Sequence, residues 1–311
     1  MTKINKKNYF LSAVALVALF LPMTVFASSY KASVGAVAKF GPESEDRCCS
    51  SCDDRPINYD WQDVLVDHLE DWDFASINTP KDRSVDHDEW ADYDKDDEGY
   101  DNSSPNGVDS YHIGMVLTHG GSVHSSSSGY YSYFYAGDPS TDGECQLHYG
   151  RTSENDVTWG DGTLRYVFLK SCNSVDYEVW EHGGYSDHDD SSNAQIRDDN
   201  LRMMAGFHGS HINYSGEVSR WDGYLDNVEY NGIGEDWVDE MTWIKTGSNN
   251  DNCAVAQVWA DDEYSADQIY EGGGFNDMQS EHNGSGVEIF YGWENCDPSD
   301  GPSLPEARDP R

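Results

Sequence analysis

The chain has 311 residues and carries 58 Asp and Glu against 19 Lys and Arg, a formal charge of −39 at pH 7. A field of that sign repels phosphate backbones and anionic lipid headgroups, which argues against nucleic acid and the membrane surface as partners and favours a heavily hydrated exterior. Disorder, the other outcome of high charge, is opposed by 10 Trp, 20 Tyr and 10 Phe, enough aromatic material for a packed core.

Taken in chain order, residues 1–27 read as a signal peptide. Lys3, Lys6 and Lys7 form a basic start, Phe10 to Phe26 an apolar stretch, and Val25-Phe26-Ala27 a small-residue cleavage site. A secreted or periplasmic location follows, with no membrane anchor after cleavage, since no later segment approaches the roughly 20 apolar residues of a membrane helix. Residues 28–107 form an acidic, Cys-rich N-terminal region in which 28–56 show no clear periodicity. Within it, Val64, Leu65, Leu69 and Trp72 recur at helical spacing, which predicts an amphipathic helix over 60–74 packed on the main domain.

Lys81 to Asp109 is dominated by Asp and reads as a long surface excursion. Its Asp92 to Gly99 stretch alternates carboxylates as calcium loops do, yet Asp97 stands where such a loop needs Gly and Ser103 where it needs Glu. A solvated acidic loop is the expectation, with incidental calcium binding the lesser alternative, and no other cofactor is indicated. The main domain is placed at 108–292, followed by a polar tail at 293–311.

Inside that domain IGMVL (Ile113 to Leu117) predicts a buried strand that ends on Thr118-His119-Gly120-Gly121. YYSYFYAG predicts a strand or hairpin arm with Tyr131, Tyr133 and Tyr135 on one face, more in keeping with a half-buried sheet than with a sugar platform. LRYVFL predicts a strand ending on Lys170-Ser171-Cys172, and NLRMMAGFHG a third that ends near His208. Ile233, Trp237, Met241 and Ile244 are spaced as in a helix, CAVAQVWA reads as a strand and YSADQIY as a helix. Strands alternating with helices predict an α/β fold, a three-layer sandwich around a mostly parallel sheet, which binds ligands beyond the carboxyl ends of its strands.

Seven cysteines lie at 48, 49, 52, 145, 172, 253 and 296. Export makes disulfides the expectation, and an odd count leaves one thiol over. Tying each of the crowded Cys48, Cys49 and Cys52 to one of the distant Cys145, Cys253 and Cys296 leaves Cys172 free, although a pairing that spares another cysteine is also open.

A histidine and a free cysteine at two strand ends are the materials of a nucleophilic dyad, in which the imidazole takes the thiol proton and later protonates the leaving group. His119 would be the base and acid and Cys172 the nucleophile; the N–H groups of Gly120 and Cys172 would form an oxyanion hole, with Ser171, Asn173, His208 and His211 as possible pocket residues. The blocks VLTHGG and VFLKSC, 53 residues apart from His119 to Cys172, resemble the two motif blocks of the caspase-like cysteine peptidases, the superfamily of caspases, legumains, gingipains and clostripain. The stretch from Asp109 to Trp259, with its AGFHGS block, is also similar to exported proteins with caspase-like cores. The resemblance implies a caspase-like core, peptide-bond hydrolysis and an extracellular protein or peptide substrate. Two rival readings stand beside it. His119, His124, His208 and His211, with Cys172 or nearby Asp, would serve a zinc hydrolase. Alternatively the scaffold is a non-catalytic exported binding protein that presents its aromatic side chains.

Overall fold

The computed structural model describes residues 29–40, 48–49, 52–94, 99–101, 105–125, 129–138, 140, 144–150, 156–177, 179, 200–209, 211, 216–228, 232–242, 253–260, 262–272, 288–293 and 296. The signal peptide, residues 95–98 of the acidic loop and nearly all of the tail lie outside them. No helix among the described residues is long and apolar enough to cross a membrane.

Seven strands form the main sheet: β1 (Lys31–Ala36), β2 (Ser76–Asn78), β3 (Ile113–Leu117), β7 (Tyr166–Lys170), β8 (Met203–His208), β9 (Cys253–Ala260) and β10 (Glu288–Trp293). Their spatial order is β2-β1-β3-β7-β8-β9-β10. The first five run parallel, and β9 runs against both of its neighbours. β3, β7 and β9 are buried along their whole length, as strands covered on both faces must be, and this explains their largely apolar sequences, broken only by Lys170 and Gln257.

Alternate residues of these strands serve two cores. Met115, Phe168, Ala205 and Ala256 join a cluster with residues of α1 (Ile57–Asp71), α2 (Glu217–Val228), α3 (Ile233–Met241) and α4 (Glu263–Tyr270). Trp61, Trp221, Trp237, Tyr224 and Phe168 are large, fully buried side chains of that layer. Val116, Val167, Leu169 and Met204 face the other way, onto Trp90, Phe134, Tyr149 and Trp159. That second face is covered in part by a small antiparallel sheet, β4 (Gly120–Ser125), β5 (Gly129–Tyr135) and β6 (Gln146–Tyr149), so the expected hairpin arm is the middle strand of three. Tyr133 and Tyr135 are buried, consistent with sheet packing.

Three expectations need correction. The aperiodic N-terminal region supplies β1, a strand enclosed between β2 and β3. Its small residues hide it from any hydrophobicity count, but they let the chain pack closely: a Cβ on Gly35 would come within 3.2 Å of Val85. The acidic stretch 81–109 is not a surface excursion. Val85, His87, Trp90, Asp101, Val108 and Asp109 are buried, and the Asp109 carboxylate accepts the backbone N–H groups of Gly160, Asp161 and Gly162. Dispersed apolar anchors hold this segment down, and backbone donors satisfy its buried acid.

The third correction concerns the disulfides. Cys48 is joined to Cys145 and Cys253 to Cys296, but Cys49 pairs with Cys52 rather than with a distant partner. Three residues suffice for a turn that brings the two Cα atoms to 5.4 Å, inside the range a disulfide spans. Cys172 is the free cysteine, as parity suggested. Three disulfides fit an oxidising compartment.

Candidate active site

β3 and β7 are adjacent and parallel, with Leu117 paired to Lys170. His119 and Cys172 each lie two residues beyond that pair, so both emerge at the same carboxyl edge, where α/β sheets bind ligands. The tip after β7 is tightly tied. Asn173 takes a left-handed conformation with φ 49°, its N–H donates to Gly209 O at 2.7 Å, and Ser174 Oγ accepts from Phe207 N at 3.0 Å. The tip after β3 is pressed against it: a Cβ on Gly120 would lie 2.6 Å from Tyr133 O and 2.7 Å from Ser171 Oγ. Glycine is therefore required at 120 by close packing, whatever its N–H does.

The His119 ring is held by a segment remote in sequence. Its Nε2 lies 3.0 Å from Arg55 Nε and 2.8 Å from Asp53 O, and the Phe40 ring meets it edge-on at 4.6 Å. One nitrogen cannot accept from the guanidinium and donate to the carbonyl at once, so the two contacts correspond to the two neutral tautomers. Burial, reinforced by the Arg55 guanidinium, pushes the His119 pKa down to about 4, and the ring is neutral at physiological pH.

The Cys172 thiol is 3.7 Å from His211 O. The same carbonyl is 3.5 Å from Arg55 Nη1. Behind it sits a buried ionic cluster that sequence reading does not identify. Lys170 Nζ lies 2.9 Å from Asn58 Oδ1, 3.3 Å from Glu217 Oε1 and 4.8 Å from the Trp61 ring centre, and His211 Nε2 lies 3.1 Å from the same Glu217 oxygen. Burial lowers the Lys170 pKa to about 8, with Glu217 opposing the shift, and burial together with Lys170 lowers that of His211 to about 4. Burial works to raise the Glu217 pKa, but His211 and Lys170 more than offset it and the carboxylate is favoured.

Of the other expected site residues, Ser171 is buried beside Gly120, and the backbone of Asn173 ties the tip to Gly209. His208 turns elsewhere: its Nδ1 accepts from Tyr177 N at 3.2 Å and lies 3.9 Å from Asp176. His124 lies on β4, its side chain outside the described residues. The ring nitrogens of the three described histidines of the zinc reading meet different groups: His119 meets Arg55 and Asp53 O, His208 meets Tyr177 N, and His211 meets Glu217. Among the described residues no group of three or more His, Cys, Asp or Glu is arranged to hold a metal. A signal for the missed cluster did exist, because a lysine ending a strand buried on both faces needs a buried anion. Arg55 carried no such signal.

Comparison with models of known protein families returns no match, and comparison with curated proteins returns none either.

Proposed function

We propose that the protein is an exported cysteine peptidase with a caspase-like core, acting on extracellular protein or peptide through His119 and Cys172. The observation that carries this reading is the parallel pairing of β3 with β7, which delivers His119 and Cys172 to one edge of one sheet. A neutral His119 is the form a general base requires. In the acylation step the thiol proton passes to the imidazole, the sulfur bonds to the substrate carbonyl carbon, and the carbonyl electron pair moves to oxygen, facing the N–H groups of Gly120 and Cys172. The C–N bond then breaks as the imidazolium protonates the amine, and water hydrolyses the thioester to return the thiol.

The test is hydrolysis of an unfolded, fluorescently labelled protein by the secreted chain. Cys172→Ala and His119→Ala should each abolish it without loss of fold, and a zinc chelator should leave it unchanged. Inhibition by chelator with recovery on added zinc would establish the zinc hydrolase instead. No hydrolysis under any condition, with an ordinary slow thiol at Cys172, would establish the binding scaffold.

A further inference from the structure

We propose that Arg55 is a positioning residue of this site, its guanidinium joining the His119 ring to the His211 carbonyl that receives the Cys172 thiol. The proposal rests on the peptidase reading for its chemistry, but its geometry is independent of it. Arg55 Nε reaches His119 Nε2 at 3.0 Å while Nη1 of the same planar group reaches His211 O at 3.5 Å. The thiol of Cys172 contacts that same oxygen. A single rigid fork therefore links the His119 ring to the carbonyl that Cys172 contacts, beside the backbone bond from Thr118 N to Lys170 O at 3.1 Å that joins the two strand tips. Lysine has no such fork, because its ammonium is a point charge on a flexible stem.

The support of Arg55 suits a part that must not move. Its N–H donates to Ala38 O at 2.7 Å, and its carbonyl accepts from Asn58 N at 3.0 Å in the turn that opens α1. Just upstream the Cys49–Cys52 disulfide closes the segment on itself, and Cys48–Cys145 ties it to the residues leading into β6. Asn58, one turn further on, also accepts from Lys170. The N-terminal segment is in this way built into the site from two directions.

The charged and titratable groups facing the pair are Arg55, Asp53, the buried Lys170, the Glu217 carboxylate that offsets Lys170, and the neutral His211. With His119 neutral, positive charge near the thiol comes from Arg55 and Lys170. Of these side chains, Arg55 is the one hydrogen-bonded to the His119 ring, while Asp53 meets it through its backbone carbonyl. Loss of Arg55 should make Cys172 less reactive and should let His119 take up a proton more readily.

Two variants of the full chain test this, Arg55→Gln and Arg55→Lys, compared with the parent by the pH dependence of Cys172 alkylation with iodoacetamide and by ¹⁵N shifts of labelled histidine. Both should slow Cys172 alkylation at pH 7 by about tenfold. Arg55→Gln, which removes the cation, should also move the His119 titration up from about 4 toward the ordinary histidine range. An Arg55→Lys protein that matches the parent would overturn the proposal, since charge without the fork would then suffice. Faster alkylation or faster hydrolysis in either variant would also overturn it, by making Arg55 a mask over the dyad. If the parent alkylates as expected and responds to both substitutions but hydrolyses nothing, the peptidase reading fails and the Arg55 assignment stands.

Discussion

Glu217, in the first turn of α2, lies 3.3 Å from Lys170 at the tip of β7, and both side chains are sealed from solvent. Glu217→Ala would leave a buried ammonium beside an amide oxygen and an indole, and breaking such a pair costs about 3–5 kcal/mol. Replacing both together, Lys170→Met with Glu217→Leu, should recover part of that loss, because no uncompensated charge remains. Urea midpoints of the three proteins decide the matter; equal midpoints for Glu217→Ala and the parent would show that the pair contributes nothing.

The disulfide pattern makes a separate prediction. Iodoacetamide added to the denatured but unreduced chain should label Cys172 alone, and peptide mapping should recover the 48–145, 49–52 and 253–296 pairs. Opening Cys48–Cys145 by serine substitution should cost about 4–5 kcal/mol, since it closes a separation of 97 residues, whereas opening Cys49–Cys52 should cost far less by the same loop-entropy argument. Comparable losses at the two sites would contradict it.

Gly120→Ala should disturb the site without removing any reactive group. The added methyl would lie 2.6 Å from a backbone oxygen of β5 and 2.9 Å from Ser171 Cβ, so β4 and the Cys172 tip must separate. Overpacking of this kind costs about 1–3 kcal/mol. We expect a lower melting temperature together with altered Cys172 alkylation; a variant that keeps both values of the parent would show that the tips are loosely packed.

The pH dependence of stability should carry two opposite signatures. Burial, with Asp86 adding to it, raises the Glu89 pKa to about 7, above its ordinary 4.5. Its contribution is therefore full below about 4.5 and is lost as pH rises through 7. Glu89→Gln should gain stability relative to the parent between pH 5 and pH 8, and a constant difference would refute the assignment. His112, His119 and His211 act the other way. Each is depressed to about 4, chiefly by burial, so their contribution is present above 6.5 and is lost as pH falls toward 4.

The parts of the fold that are legible in the sequence are those with one dominant local signal. β3 and β7 are continuous apolar runs because both faces are covered, and α1 shows its period because one side meets the sheet. Cys172 stands out by parity, a property that needs no coordinates. β1 stays hidden because Ala32, Ser33, Gly35 and Ala36 signal close approach rather than hydrophobicity. Residues 85–109 mislead because single anchors such as Trp90 and Val108 are diluted by acids, among them the buried Asp109, whose hydrogen-bond donors come from 160–162. At the site, the two strand tips are visible in the sequence. Their connectors are not, since Arg55 meets His119 across 64 residues and Lys170 meets Asn58 across 112.

The position of β1 also dictates an order of assembly. Lys31–Ala36 is the first strand among the described residues, yet its ladder with β3 pairs Ala32 with Ile113. A chain that emerges amino end first therefore carries β1 with an open edge until residue 117 is available, and the closure entropy of that long loop must be met before any central contact rewards it. Cys49 and Cys52 can oxidise within a local turn as soon as they appear, whereas Cys48 has to wait for Cys145. The local pair thus accounts for two of the three neighbouring thiols and leaves Cys48 as the one of that cluster that must find a distant partner.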